Sequence, residues 1–215
     1  MRWMMGPSVA GIGLFAALWA RAVWLDHAWW GAMAYNVVLA LAVVPLAAMA
    51  TRRDQLRPAS ALAWWLMWPN ALYLVTDLAH LRGRSPDDLW LDVACYGALV
   101  GVGLWIGAAT LLRVVGTVQR RWGSLVATLL YAGLCTTGGF GIWLGRVKRF
   151  NSWDVVTDPM QLARGVLHPL RDGAQLEEAL GFVLLWGGGM AFAAACLALA
   201  GPHPAPTATG AEATA

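Results

Sequence analysis

The sequence predicts an all-α integral membrane protein, a bundle of six transmembrane helices with a short interfacial amphipathic helix between the fifth and sixth spans. Hydrophobic residues make up 59% of the chain and charged residues only 13%, with a mean hydropathy of +0.57. This balance is outside the range of soluble domains. Apolar runs about as long as a bilayer is thick recur along the chain. Short polar connections separate these runs, and no soluble domain or internal repeat interrupts them.

The first two apolar runs cover about residues 8–24 and 31–50. Arg2, the apolar centre of the first run and the A-R-A sequence at 20–22 also resemble a signal peptide with its cleavage site. We favour a retained helix. The second run holds Asn36 and Pro45 and stops at the polar residues 51–54. Both runs are therefore expected to span the membrane.

The third run covers about residues 58–81 and the fourth about 89–112. The third carries W-P-N-A-L-Y-L-V-T-D-L-A-H at 68–80. Because Pro69 lacks a backbone N–H and leaves the carbonyl of Trp65 without its helical donor, we expect a kink there. The fourth run contains small residues at spacings that permit close helix contact, namely Gly97, Gly101, Gly103 and Gly107.

The fifth run covers about residues 122–145 and the sixth about 179–200. The fifth becomes glycine-rich at 138–141 and ends in G-I-W-L-G-R-V-K-R-F-N-S-W-D at 141–154. Residues 155–175 place apolar side chains among polar ones, with Pro159 suited to a first helical turn, so they predict a short amphipathic helix at the interface. The tail 201–215 is rich in Pro, Ala and Thr and is predicted to be disordered.

Arginine and lysine are distributed unevenly between the two sides of the predicted bundle. One side carries Arg2, the residues 52, 53 and 57, and the residues 113, 120 and 121; the two short connections of the other side hold only Arg21, Arg82 and Arg84. The positive-inside rule then places both termini in the cytoplasm. Lys148 is the only lysine among the cationic residues, a bias that suggests a bacterial source. We therefore expect a bacterial inner (plasma) membrane protein.

Several classes of function are not indicated by the sequence. No basic patch with interleaved aromatic residues is present, so the bilayer, and not nucleic acid, is the expected partner. Cys95, Cys135 and Cys196 lie in different apolar runs, without metal-ligand or redox spacing. Lys148 lies in a polar exit rather than within a span, which disfavours a Schiff-base cofactor. Motifs for phosphate loops, zinc proteases and serine hydrolases are missing.

Polar side chains converge at the extracytoplasmic end of the third, fourth and fifth spans. At about 100° per residue, four of them fall within about 80° of one helical face, namely Asn70, Tyr73, Asp77 and His80. The same end of the predicted bundle also holds the remaining candidates, Asp92, Arg146, Arg149, Asn151, Trp153 and Asp154. Ionisable residues in a membrane span are functional candidates by default. The sequence therefore predicts a polar site at the outer face.

Three interpretations of Asp77 and His80 remain open. They are three residues apart on a helix, a spacing at which side chains meet, so they fit an acid–base pair. They also fit two ligands of a divalent metal ion, which Asp92, Asp154 or His168 would have to complete. In the third interpretation Asp77 forms an ion pair with Arg146 or Arg149 and holds helices together.

The other candidates also have two interpretations each. Arg146 and Arg149 fit a clamp for the carboxylate or phosphate of an anionic or lipid-linked small molecule, or side chains that reach the lipid headgroups. Asn70 and Tyr73 would support such a site through hydrogen bonds, or satisfy the carbonyl freed by Pro69. Trp153 fits an interfacial anchor better than a cofactor platform.

At these residues the chain resembles a family of bacterial multi-pass membrane proteins, domain of unknown function 1361. The resemblance covers about residues 35–195 and rests on Asn36 with Pro45, on the motif at 68–80, on Asp92 and on the motif at 141–154. It implies that both motifs belong to one site, and it implies no reaction.

The leading hypothesis is an intramembrane enzyme that acts on a lipid or lipid-linked group. Asp77 and His80 would be the acid–base or ligand pair, and Asp92 and Asp154 the supporting carboxylates. One alternative is a small transporter, in which the Pro69 kink and a helix break at 138–141 line a pathway. Another is a non-catalytic assembly subunit whose polar face docks a partner. The sequence assigns no oligomeric state.

Overall fold

The computed structural model describes residues 2–25, 28–76 and 89–200, and within these ranges the chain is all-helical, as predicted. Its α-helices are α1 (Arg2–Leu25), α2 (Ala28–Ala50), α3 (Pro58–Met67), α4 (Pro69–Thr76), α5 (Leu89–Arg146), α6 (Asp154–Thr157), α7 (Pro159–Leu167), α8 (Gly173–Phe182) and α9 (Gly188–Leu199). Short 3₁₀ turns occupy Arg52–Asp54 and His168–Arg171, and a π-helical turn at Val183–Gly187 joins α8 to α9.

Three helical stretches of the described chain are long and apolar enough to cross a membrane: Met33–Ala50, Asp92–Arg146 and Gly173–Leu199. Ser8–Arg21 is a shorter apolar helix. These stretches support a membrane protein, and the count of six crossings stays a prediction. The predicted tail 201–215 lies outside the described residues.

The longest helix, α5, consists of two arms that meet at Gly123. This glycine has φ +85° and ψ 173°. This conformation lies outside the helical region, and glycine adopts it more readily than any other residue. Trp68 contacts both arms, since its indole Nε1 donates to the carbonyl of Gly107 at 3.0 Å and its ring lies against Gly138. One side chain reaches both glycines only if the chain reverses between them. The arms 89–122 and 124–146 are thus a helical hairpin.

The connection predicted at 113–122 is helical in the structure. Its arginines suggested a loop, but Arg, Gln and Val are all compatible with a helix. Two of its three arginines bond to polar groups nearby: Arg113 Nε donates to Thr51 Oγ1 at 2.6 Å, and Arg120 Nη2 donates to Thr117 Oγ1 at 3.3 Å. The fourth helix therefore continues beyond residue 112 until Gly123 ends it.

The third span is interrupted where the kink is predicted, because α3 ends at Met67 and α4 begins at Pro69. The Trp68 N–H still donates to the Trp64 carbonyl at 2.7 Å. Beyond the proline, the Ala71 N–H donates to the Trp68 carbonyl at 3.1 Å, a tighter turn than the α-helical one. Trp64 and Trp68 at this break are almost fully buried.

Close helix packing depends on glycines of α5. A Cβ at Gly103 would lie 2.4 Å from the Ala71 carbonyl oxygen, and one at Gly107 would lie 2.5 Å from the Met190 methyl group. Gly97 and Gly101 have open space instead, so only the second pair of small residues makes the expected close contacts.

The helix break expected at 138–141 is wrong, because α5 is helical through Arg146. The glycines there make room for neighbouring elements rather than interrupting the helix. A Cβ at Gly138 would lie 2.4 Å from the Trp68 ring, one at Gly141 would lie 2.9 Å from the Pro69 ring, and one at Gly139 would lie 2.7 Å from the Val183 Cα.

The segment predicted as one amphipathic helix contains two short helices and a 3₁₀ turn. Pro159 occupies the first turn of α7, as expected, and Asp158 caps that helix by accepting from the Gln161 N–H at 3.1 Å. Residues 173–175 belong instead to α8, because Asp172 caps a new helix by accepting from the Ala174 N–H at 3.1 Å. Its position at a membrane interface stays a prediction.

Candidate functional site

A cluster of Tyr73, Thr76 and Arg146 joins the end of α4 to the end of α5. Arg146 Nε donates to Thr76 Oγ1 at 2.7 Å, and the Thr76 hydroxyl donates to the Tyr73 carbonyl at 2.7 Å. The Arg146 guanidinium carbon lies 5.1 Å from the centre of the Tyr73 ring, within the distance of a cation–π contact. The guanidinium is therefore held by a hydrogen bond at one edge and by an aromatic ring near its face.

Gly145 makes this cluster sterically possible. A Cβ at this position would lie 1.5 Å from the Tyr73 hydroxyl oxygen, a distance that no side chain tolerates. Together with Gly138 and Gly141, it forms a glycine face on the second arm of α5 that contacts Trp68, Pro69 and Tyr73 in turn. The two sequence motifs at 68–80 and 141–154 thus pack directly against each other.

Asn70 connects the helix break to the loop after α5. Its Nδ2 donates to the Met67 carbonyl at 2.8 Å and to Ser152 Oγ at 3.1 Å. The first bond satisfies a carbonyl beside the proline break, though that of Met67 rather than that of Trp65. The second bond reaches across to the other motif. Asn70 therefore serves the broken helix and the site region together.

The loop after α5 turns at Arg149, which has a φ of +61°, uncommon for a residue other than glycine. Asp154 closes the turn that follows: its Oδ2 accepts from the Asn151 N–H at 2.7 Å and its Oδ1 accepts from Thr157 Oγ1 at 3.1 Å. Asn151 is exposed, and the Trp153 side chain is 44% exposed. The carboxylate of Asp154 thus has a clear part in ordering the loop.

Asp92 forms an ion pair within the bundle. Its Oδ1 lies 2.6 Å from Arg21 Nη2, and the two side chains are 1% and 15% exposed, respectively. Breaking such a buried pair by removing one partner strongly destabilises a protein. The structure therefore gives Asp92 a contact with α1, a partner that the sequence does not suggest.

Lys148 and Trp143 connect the end of α5 to the start of α8. Lys148 Nζ donates to Gln175 Oε1 and lies 5.1 Å from the centre of the Trp143 ring, while Trp143 Nε1 donates to Glu178 Oε2 at 3.0 Å. These contacts join the two parts of the chain that flank residues 154–171.

The described part of the chain contains no group of three or more His, Cys, Asp and Glu side chains arranged to hold a metal ion. Asp77 and His80, the proposed ligand or acid–base pair, lie outside the described residues. Of the side chains that would complete a metal site, His168 is exposed in a 3₁₀ turn, and Asp92 and Asp154 make the contacts given above.

Thr76, Gly145 and Ser152 contribute to the region, although sequence reasoning did not select them. Thr76 is three residues beyond Tyr73 and so shares its helical face. Helical periodicity in the sequence could therefore have identified it. The spacing of Gly145 from Gly138 and Gly141 also marks one helical face. No local signal pairs Ser152 with Asn70, because the contact depends on the tertiary fold.

The comparison with protein families yields one match. A family model described as "Protein of unknown function (DUF1361)" matches residues 35–192, most of the chain. The chain belongs to this family. The DUF1361 match includes the whole of both motifs whose packing is described above. No curated protein and no solved structure shows a significant match to the chain.

Proposed function

We propose that this DUF1361 protein is a membrane enzyme that acts on a lipid or lipid-linked group, with its site at the extracytoplasmic end of the bundle. The observation that carries the proposal is the Tyr73–Thr76–Arg146 cluster, which holds a guanidinium in place at the junction of the two motifs. A positioned arginine suits the recognition of phosphate or carboxylate groups. Asp77 follows Thr76 directly in the sequence.

In this proposal Arg146 and Arg149 bind the anionic part of the substrate. Arg149 is exposed and makes no hydrogen bond or ion pair with the part of the chain that the structure describes. Asp77 and His80 supply the proton transfer, with or without a divalent metal ion. Asn70, Ser152 and Asp154 hold the loop that carries Arg149.

The proposal assumes six crossings, with both termini in the cytoplasm of a bacterial inner membrane. In that arrangement the polar cluster at Arg146 and the polar contact of Arg113 with Thr51 lie at opposite ends of the bundle. The described residues between them include the fully buried Trp68 and the nearly fully buried Trp64. A centre filled by large aromatic side chains favours an enzyme at one face over a transport pathway.

Lipid analysis of cells that express the protein tests the enzymatic proposal. We expect wild type to change the abundance of an anionic or lipid-linked species relative to an empty vector. His80→Ala and Arg149→Gln should abolish the change, while Arg171→Gln, which alters an exposed arginine far along the chain, should retain it. If folded wild type leaves every lipid class unchanged, the enzymatic proposal fails.

Elemental analysis distinguishes metal-dependent from metal-independent chemistry. The purified protein is compared with Asp77→Asn and His80→Ala after affinity-tag metals have been removed. One equivalent of a transition metal in wild type, lost from both variants, would establish the metal site. Retention of that metal by both variants would assign it elsewhere.

A further inference from the structure

An apolar cavity of about 420 Å³ lies between α3 and the two arms of α5, away from the site described above. Its walls include side chains of all three helical segments and of Leu56, just before α3; among the helical ones are Leu62, Trp65, Val114, Leu129 and Leu134. The only hydroxyl group among its lining residues is that of Thr137, which accepts from Trp65 Nε1 at 3.0 Å. The cavity is therefore suited to a hydrocarbon.

The cavity opens sideways, toward the surface that faces lipid in a membrane. Leu62 is 54% exposed, Trp65 38% and Leu129 65%, so its rim is accessible from outside the bundle. Gly133 also lines it, and a Cβ added at Gly133 would meet no atom within 4 Å. The free space thus extends to the backbone of the second arm of α5.

Arg57 lies beside one end of this cavity, and Arg121 lies at the same end of the bundle. Leu56 lines the cavity, and Arg57, which follows it directly, is exposed at the start of α3. Arg121 is exposed near Gly123, where α5 reverses. The Arg57 N–H donates to the Ala50 carbonyl at 2.8 Å. Arg113, about two turns before Arg121 in α5, donates to Thr51, the residue after Ala50. Arg57 and Arg121 therefore lie at the same end of the bundle. Neither guanidinium makes a hydrogen bond or ion pair with the described chain.

We propose that this cavity binds one acyl chain of an anionic phospholipid, whose phosphate is held by Arg57 and Arg121. Apolar walls, a lateral opening and unpaired cations at one end together match the two chemical halves of such a lipid. Basic sites beside membrane helices bind anionic headgroups by charge, and burial of an acyl chain adds affinity for each methylene group. In the orientation proposed above, the lipid belongs to the cytoplasmic leaflet. This inference involves none of the residues of the enzymatic proposal and does not depend on it.

Native mass spectrometry of delipidated protein tests the inference, with dioleoyl phosphatidylglycerol as the probe and dioleoyl phosphatidylcholine as its zwitterionic counterpart. We expect delipidated wild type to bind one added phosphatidylglycerol molecule, at least about tenfold more tightly than phosphatidylcholine. Gly133→Phe fills the cavity and should weaken phosphatidylglycerol binding by about tenfold, the effect of leaving roughly two methylene groups unburied. Gly133→Ala should have a smaller effect in the same direction.

Matched control variants show whether changes in lipid binding come from the cavity or the charge, or from any substitution of a glycine or an arginine. Gly97→Phe also enlarges a glycine of α5 that has open space around it, but it lies outside the cavity and should bind as wild type does. Arg57→Gln should reduce the preference for phosphatidylglycerol, and Arg171→Gln should not. If folded Gly133→Phe, checked by circular dichroism, binds phosphatidylglycerol like wild type, the cavity is not the site. If Arg57→Gln keeps the full preference, the assignment of the headgroup is wrong.

Discussion

Replacing Arg149 by glycine should stabilise the protein while impairing its function. Arg149 has a φ of +61°, and an L-residue in this region costs roughly 1–2 kcal/mol. Glycine removes that cost but loses about 0.5–1 kcal/mol more conformational entropy on folding. The expected net gain in the free energy of unfolding is about 0.5–1 kcal/mol, or roughly 2 °C in Tm for a chain of this size.

The assay combines thermal unfolding in detergent with the lipid analysis of the proposed function. If Arg149 binds the substrate anion, Arg149→Gly removes charge-assisted hydrogen bonds worth about 1.5–3 kcal/mol, and substrate processing should fall by about tenfold or more. Stability and activity would then move in opposite directions, which is the behaviour of a strained residue kept for function.

Arg53 provides a matched control. Among the described residues other than glycine, only Arg53, at +57°, shares the positive φ of Arg149. Arg53→Gly should raise Tm by a similar amount and leave lipid processing unchanged. If neither variant is stabilised, the strain argument is refuted. If Arg149→Gly is stabilised and fully active, Arg149 has no part in substrate binding.

Three further predictions follow from the packing and the charges. Gly145→Ala should lower Tm and displace Tyr73, because the added Cβ would overlap the tyrosine hydroxyl; overpacking of this kind costs about 1–3 kcal/mol. Arg21→Met should destabilise the protein by about 3–5 kcal/mol, because it leaves the Asp92 carboxylate buried without its ion pair. Hydrogen bonds from Gln175 hold the pKa of Asp172 below its usual range, so this carboxylate stabilises α8 above pH 4, roughly its unfolded pKa, and that contribution is lost as pH falls through the lower folded pKa.

Each of these predictions has a control. Gly97→Ala faces open space and should be neutral or stabilising by up to about 1 kcal/mol; a loss equal to that of Gly145→Ala would refute the steric argument. The double change Arg21→Met with Asp92→Leu should recover much of the lost stability, measured by thermal unfolding. For Asp172, unfolding curves at several pH values are compared with those of Asp172→Ala, and identical slopes on the acid side would refute the linkage.

The helices and their main interruption could be predicted from the sequence because both depend on local physics. Apolar length indicates the long helices, and the missing N–H of Pro69 indicates the break before α4. Helical periodicity alone places Asn70 and Tyr73 on one face, and in the structure Asn70 contacts the loop after α5 and Tyr73 the end of that helix. Pro159 in the first turn of α7 is a prediction of the same local kind.

The remaining features depend on contacts between distant parts of the chain. Asp92 shows no preference for Arg21 in the sequence, and only the packing of α1 on α5 brings them together. Because glycine lowers helix propensity, the glycines at 138–141 predict a helix break. In the structure they are spaces filled by Trp68, Pro69 and Val183, which only the tertiary fold reveals.

The π-helical turn at Val183–Gly187 marks the place where the last helix can change its length. A π turn holds about one residue more than an α turn, so deletion of one residue there would restore α-helical geometry with little rotation of α8 relative to α9. Deletion of Gly189, in the regular turn that follows, would instead rotate the rest of α9 by about 100°. Glu178 could then keep its bond to Trp143, or Met190 its place against Gly107, but not both. A single deletion should therefore be easier to accommodate at the π turn than in the α-helical turns beside it.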